Sequence, residues 1–258
     1  MNIIEKTCLS CIDLTSLNAM DTEAKIIAMA QKVNAFPEYF PHLPNVAAIC
    51  VYPIFAGLLK QHLTAPGVKI TVVGAGFPSS QTFPQTKADE CRMAVEAGAD
   101  EVDIVVSLRH FLAGKEAEAA EEIALVRQAI GKAHLKVILE SGSLPNTEAI
   151  AQASRLSIAA GADFIKTSTG KSEPAATPEA ARIMCRIIKE HFAQTGKMTG
   201  FKPAGGIVSV EDALTYYQIV KETLGEAWLC PEYFRIGASR LANNLLSHIE
   251  GTEIHYFV

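Results

Sequence analysis

Eight short runs of β-branched or apolar residues alternate along this chain with longer, alanine-rich stretches of helical period, and that alternation limits the fold more than any single motif does. The runs are Cys11–Thr15, Val46–Tyr52, Lys69–Phe77, Glu101–Ser107, Leu135–Ser141, Phe164–Thr169, Gly200–Ala204 and Phe234–Ala238. Strand followed by helix, repeated, is the pattern of βα units around a parallel sheet. Eight such units close a barrel, so the pattern predicts an α/β protein, a (β/α)8 TIM barrel. The length of 258 residues, 49% of them hydrophobic, suits one such barrel, and a single catalytic domain over residues 1–258 is expected.

Local signals agree with this reading. Ala97-Gly98-Ala99-Asp100 enters the fourth run and Ala160-Gly161-Ala162-Asp163 the sixth, each resembling a helix ended by glycine. Glu116 to Ile130 and Thr147 to Ala160 carry helical spacing, and Thr177-Pro178-Glu179 has the form of an N-cap with proline at the first helical position. Asn34 to Pro44, with three prolines and four aromatic or histidine side chains, is expected to be a structured loop at the N-terminal face, serving packing or a subunit contact.

Charge and cysteine usage exclude several function classes. With 23 basic and 28 acidic residues the chain has no broad positive footprint for nucleic acid or an anionic membrane. No stretch approaches the roughly 20 apolar residues of a spanning helix. The six cysteines lack the density of a disulfide scaffold and no signal-like segment is evident, which points to a reducing cytoplasm. Cys8-Leu9-Ser10-Cys11 has no second pair to complete a zinc site, and the seven histidines form no paired ligand motif, so no metal is expected. Fingerprints for a dinucleotide, a nucleotide phosphate loop or a nucleophilic serine are also missing.

What stands out is charge inside strands. Lys166 interrupts Phe164-Ile165-Lys166-Thr167-Ser168-Thr169, and Lys202 lies in Gly200-Phe201-Lys202-Pro203-Ala204-Gly205-Gly206 on the next run. Burial and a neighbouring positive charge both disfavour an ammonium ion, and the neutral amine is the nucleophile that condenses with a carbonyl. The bland alternatives are a snorkelling side chain for Lys166 and a structural ion pair for Lys202. Asp103, near the middle of the fourth run and of the same parity as Glu101 and Val105, could compensate the lysines or relay protons. Glu140 ends the fifth run, where a structural role is favoured. Small residues follow three consecutive runs: Thr169-Gly170-Lys171, Gly205-Gly206 and Gly237-Ala238-Ser239. Such loops let backbone N–H groups approach an anion at the end of a barrel where phosphate commonly binds.

Together these residues resemble the deoxyribose-phosphate aldolases over nearly the whole chain. The likeness is carried by Ile12-Asp13-Leu14-Thr15, Val46 to Pro53, Gly98 to Asp103 and Leu135 to Glu140. It is strongest in Gly161 to Gly170, Gly200 to Gly206 and Phe234-Arg235-Ile236-Gly237-Ala238-Ser239. The resemblance implies reversible cleavage of 2-deoxy-D-ribose 5-phosphate to acetaldehyde and D-glyceraldehyde 3-phosphate in deoxyribonucleotide catabolism. It implies no cofactor, sugar phosphate and aldehydes as the small-molecule partners, and a homodimer. By it, Lys166 matches the Schiff-base lysine, Lys202 the lysine that perturbs it and Asp103 the acid/base residue. Asp13 would contact substrate hydroxyls, and Thr169, Gly170, Lys171, Gly205, Gly206, Gly237 and Ser239 would bind substrate. Two departures stand out. Arg240 occupies a position where a second serine is common, and it either contacts the anion or points away. Relatives often end in a tyrosine that reaches the site; here Tyr256 is followed by Phe257 and Val258 and is the candidate. Cys50 is a candidate thiol near the cavity, with strand packing as its alternative. Two rival readings remain: a phosphate-binding barrel isomerase using Asp103 as base and Lys202 as an electrostatic group, and a noncatalytic barrel that binds a phosphorylated metabolite.

Overall fold

In the computed structural model, which describes residues 3–257, seven of the eight expected runs contain a strand and the fifth overlaps one that begins a residue earlier, at His134. The strands are β1 (Ile12–Thr15), β2 (Ala48–Val51), β3 (Lys69–Gly74), β4 (Glu101–Val105), β5 (His134–Ile138), β6 (Phe164–Lys166), β7 (Gly200–Lys202) and β8 (Ile236–Ala238). Met1, Asn2 and Val258, at the ends of the expected 1–258 domain, lie outside the described residues. The strands pair in parallel in the order β7-β6-β5-β4-β3-β2-β1-β8. Bridges Phe201↔Phe234 and Ala204↔Gly237 close the remaining seam. There Arg235 N donates to Phe201 O at 3.1 Å and Gly237 N to Pro203 O at 2.9 Å. The fold is therefore a closed (β/α)8 barrel with no free sheet edge.

Ten helices accompany the strands among the described residues: α1 (Ile3–Ser10), α2 (Glu23–Tyr39), α3 (Ala56–His62), α4 (Pro84–Glu96), α5 (Leu108–Phe111), α6 (Glu116–Ile130), α7 (Thr147–Ala159), α8 (Pro178–Thr195), α9 (Val210–Thr223) and α10 (Leu241–Glu250). Their starts obey ordinary capping chemistry. Thr177 accepts a hydrogen bond from Ala180 N ahead of Pro178, and Ser209 forms a reciprocal capping box with Asp212. Gly98 and Gly161, after α4 and α7, take φ of +118° and +105°, where a side chain would be strained.

One local expectation is corrected. Residues 34–39, expected in a loop, continue α2 as helix, with Pro37 inside it. Proline has no N–H and leaves the carbonyl four residues earlier without its helical partner. Here Asn45 Nδ2 donates to that carbonyl, Val33 O, at 2.8 Å, so the helix keeps its course.

The strands have two unlike faces because successive side chains alternate. Leu14, Ile49, Val72, Val102, Ile104, Leu135, Val137, Ile165 and Phe201 pack outward into the core shared with the helices. Asp13, Glu101, Asp103, Lys136, Lys166 and Lys202 have the opposite parity and are buried. They bond across non-neighbouring strands, as Lys202 on β7 does to Asp103 on β4, which only a path through the barrel interior allows. The ring of Phe164 fills the lower part of this interior. A Cβ on Gly200, directly across the β6–β7 pairing, would fall 2.2 Å from that ring, which is why the position has no side chain.

Candidate active site

Register places the chemistry. Lys166 pairs with Lys202 across β6 and β7, and Asp103 with Lys136 across β4 and β5, so these strands turn amines and a carboxylate into the lumen together. Lys166 Nζ lies 2.8 Å from Asp103 Oδ2. Lys202 Nζ donates to the same oxygen at 2.7 Å and also to Asp13 Oδ2. The three residues singled out from sequence, Lys166, Lys202 and Asp103, thus share one hydrogen-bonded centre.

The two lysines are not equivalent. Burial is the largest influence on Lys166 and lowers its amine below the ordinary lysine range; Lys202 adds to that, while Asp103 and, after it, Cys50 pull the other way. Burial also opposes the Lys202 ammonium, but Asp103 and Asp13 outweigh it and raise that group. Burial would raise the carboxyl of Asp103, and Lys136, Lys166 and Lys202 instead hold it well below its usual range. The cluster accordingly sets an amine of lowered basicity beside a stabilised ammonium and a stabilised carboxylate, within hydrogen-bond reach.

Above Lys166 opens a cavity of about 230 Å³, lined by Thr169, Gly170, Lys171, Gly205, Gly206, Gly237, Ser239 and Arg240. All the loop positions expected to bind substrate therefore border one space, and Arg240 faces it as well. Gly205 and Gly206 take φ of +86° and +76°, and a Cβ on Gly205 would come within 2.7 Å of the Ala175 Cβ, so the loop can run this close only with glycine. Thr169 is held by Glu140, which accepts from its backbone N at 3.1 Å and from its hydroxyl, the structural role expected of Glu140. Lys171 Nζ donates to Leu17 O, bridging the loop after β6 to the loop after β1.

Three candidates stand apart from the cavity. Asp13 is fully buried, with one oxygen bound by Lys202 and the other by Arg235 Nη1 at 2.7 Å, so it orients Lys202 and has no open face for a substrate hydroxyl. Cys50 packs with Leu17 and Val73, flanked by Tyr52 and Phe77, as an apolar wall beside the lysines; burial pushes its thiol up. Tyr256 is elsewhere. Its hydroxyl donates to Lys32 O at 2.7 Å and its ring meets Phe36 and Phe40 edge-on, so the tail is docked on α2. Asn243 secures it by accepting from the backbone N of Tyr256 and Phe257.

A lower layer of charge went unremarked in the sequence: Lys136 and Arg235 converge on Glu101. Lys136 carries the signal that marked Lys166, an amine interrupting a strand-like run, and weighing every such position would have found it.

A closed parallel barrel with a buried polar cluster at the C-terminal ends of its strands, under small-residue loops, defines a barrel enzyme with its site at the usual catalytic face. More particularly, the chain belongs to the DeoC/LacD family of aldolases, whose family model matches residues 7–228, and it is therefore a carbon–carbon lyase. It is 43% identical to the deoxyribose-phosphate aldolase of Homo sapiens over 256 residues, which is 95% of this chain and 79% of that one. The Bos taurus deoxyribose-phosphate aldolase is 41% identical over 258 residues, 96% of this chain and 80% of the relative. Among solved structures, the tetrameric deoxyribose phosphate aldolase of Aeropyrum pernix superposes with a TM-score of 0.73 at 25% identity, covering 98% of this chain and 94% of that one.

Proposed function

We propose that this aldolase reversibly cleaves 2-deoxy-D-ribose 5-phosphate to acetaldehyde and D-glyceraldehyde 3-phosphate through a Schiff base on Lys166. The observation that carries the reading is the position of Lys166: a buried amine of lowered basicity beneath a cavity ringed by glycines and hydroxyls. The neutral amine attacks the sugar aldehyde and loses water to give the imine, whose protonated form withdraws the electron pair of the C2–C3 bond as it breaks. The proton of the C3 hydroxyl leaves to a relay of water, Asp103 and Lys202, releasing D-glyceraldehyde 3-phosphate. The relay then protonates C2 of the enamine, and water frees acetaldehyde from Lys166. Asp13 keeps Lys202 in place.

The remote phosphate fits the loops after β6, β7 and β8, where backbone N–H groups, the start of α10, Lys171 and Arg240 supply positive potential. Holding it there orients the reacting carbons over Lys166. No step requires a metal or organic cofactor. A role in deoxyribonucleotide catabolism in the cytoplasm, and assembly as a homodimer, complete the proposal; light scattering that gives a monomer at working concentration would overturn the dimer.

Lys166→Arg tests the chemistry. A guanidinium keeps the charge and cannot form the imine, so kcat/KM for deoxyribose 5-phosphate is expected to fall by about 10⁴-fold or more. Survival of sugar-phosphate turnover in that variant would favour the isomerase reading, in which Asp103 is the base and no covalent lysine is needed.

A further inference from the structure

Beneath the catalytic residues lies a second set of buried charges to which the mechanism assigns no part. Glu101 on β4, Lys136 on β5 and Arg235, next to β8, are at most 3% exposed. Glu101 receives Arg235 through two nitrogens, at 2.7 and 3.0 Å, together with the Thr71 hydroxyl at 2.7 Å and the Lys136 ammonium. Both cations also reach the layer above. Lys136 Nζ is 3.2 Å from Asp103 Oδ1 and Arg235 Nη1 is 2.7 Å from Asp13 Oδ1. The two layers are therefore one electrostatic unit.

Formal charges in this unit do not balance if every group is ionised. Among its buried members Asp13, Glu101 and Asp103 are matched by Lys136, Lys202 and Arg235, and Lys166 is the amine left over; the exposed His134, 4.0 Å from Glu101, stands at the solvent edge of the unit. An enclosed cluster is costly when it carries a net charge, because interactions between buried charges are poorly screened. Neutrality is reached when Lys166 gives up its proton. The groups facing Lys166 are Asp103 from β4, Lys202 from β7 and Cys50 from β2, with Lys171 and Arg240 across the cavity from the loops after β6 and β8. Glu140 at the end of β5 is engaged with Thr169.

We infer that Glu101, Lys136 and Arg235 are positioning residues whose fixed charges set the proton occupancy of Lys166, so that the floor of the barrel, together with Lys202, tunes the nucleophile. This rests on Lys166 being the Schiff-base residue. The sign of each contribution follows from the count. Removing the negative charge of Glu101 leaves a surplus positive charge and favours the neutral amine at lower pH. Removing the positive charge of Lys136 leaves a surplus negative charge and favours the ammonium to higher pH. A merely structural floor would slow both variants without moving them apart.

The test is the pH dependence of acetaldehyde adduct formation on Lys166, trapped with cyanoborohydride and quantified by peptide mass spectrometry. Relative to wild type, the midpoint is expected to fall by about one pH unit in Glu101→Gln and to rise by about one in Lys136→Met. Thr71→Val, which removes a hydrogen bond to Glu101 and no charge, is expected to leave the midpoint in place. Midpoints that stay together, or that move in the same direction, overturn the inference while leaving Schiff-base chemistry intact. Should Lys136→Met fail to fold, Arg235→Met, which likewise removes a positive charge from the floor, is compared with wild type; a midpoint displaced to higher pH supports the inference and an unchanged midpoint overturns it. Wild-type protein that gives no adduct on Lys166 at any pH is a different result, which removes the aldolase mechanism and this inference with it.

Discussion

The two faces of the same eight strands differ more than any two separate regions of the molecule. On β5, Leu135 and Val137 point outward into an apolar core, while Lys136 between them points inward and makes ion pairs. Around the barrel the outward face is aliphatic and aromatic, and the inward face carries carboxylates, amines and a guanidinium. The interior of many barrels is filled by branched apolar side chains. Here the outer shell supplies the apolar burial, which leaves the lumen free to hold charge in a low dielectric, and pairing keeps that charge tolerable. A period of two residues thus lets one short strand contribute stability on one side and reactivity on the other.

Substitutions on the two faces should separate these contributions. The largest effect is expected from Lys202→Met in the lumen. It takes one buried ion-pair partner from each of Asp13 and Asp103, and breaking a buried pair costs about 3–5 kcal/mol, measurable by urea denaturation. It also removes a positive neighbour that lowers the Lys166 amine, so the activity that survives should shift to higher pH. A stability loss with an unshifted pH profile would deny the lumen its electrostatic role. Leu135→Ala, on the outward face of β5, should cost about 2–5 kcal/mol and leave the pH profile of kcat/KM where it was. A displaced profile there would mean that the two faces are not separable. Smallest is Tyr256→Phe, which loses the hydrogen bond to Lys32 O: about 1 kcal/mol of stability and no change in kcat are expected. A large fall in kcat would return Tyr256 to the site.

Much of this division is legible in sequence, and where it is not the physical reason can be named. The α6 bounds, Glu116–Ile130, follow from helical spacing that nothing interrupts. Six of the eight strand runs extend too far at their C-terminal ends: Thr167 to Thr169 are as β-prone as the strand before them, but after a last ladder bond from Thr167 N to Lys202 O the bonding turns to Ala204 O and Glu140, which the Thr167 hydroxyl and Thr169 engage. The helix through Pro37 is hidden because its compensation, Asn45, is a tertiary contact. In the site, Lys166, Lys202 and Asp103 are visible as charges within strands, and glycine-rich loops mark the cavity. The engagement of Asp13 by Lys202 and Arg235 depends on β1 pairing with β8 and on closure bringing β7 alongside, which no local pattern displays. Tyr256 illustrates the same limit, since its place is decided by a hydrophobic patch on α2 and by Asn243.

The most direct test of the lumen as the seat of a covalent aldolase is to treat the protein with acetaldehyde and borohydride and map the modified peptide. A two-carbon adduct on Lys166, with Lys136 and Lys202 unmodified, is the predicted result. An adduct on either of those lysines instead, or none in protein that still turns over its sugar phosphate, would contradict it.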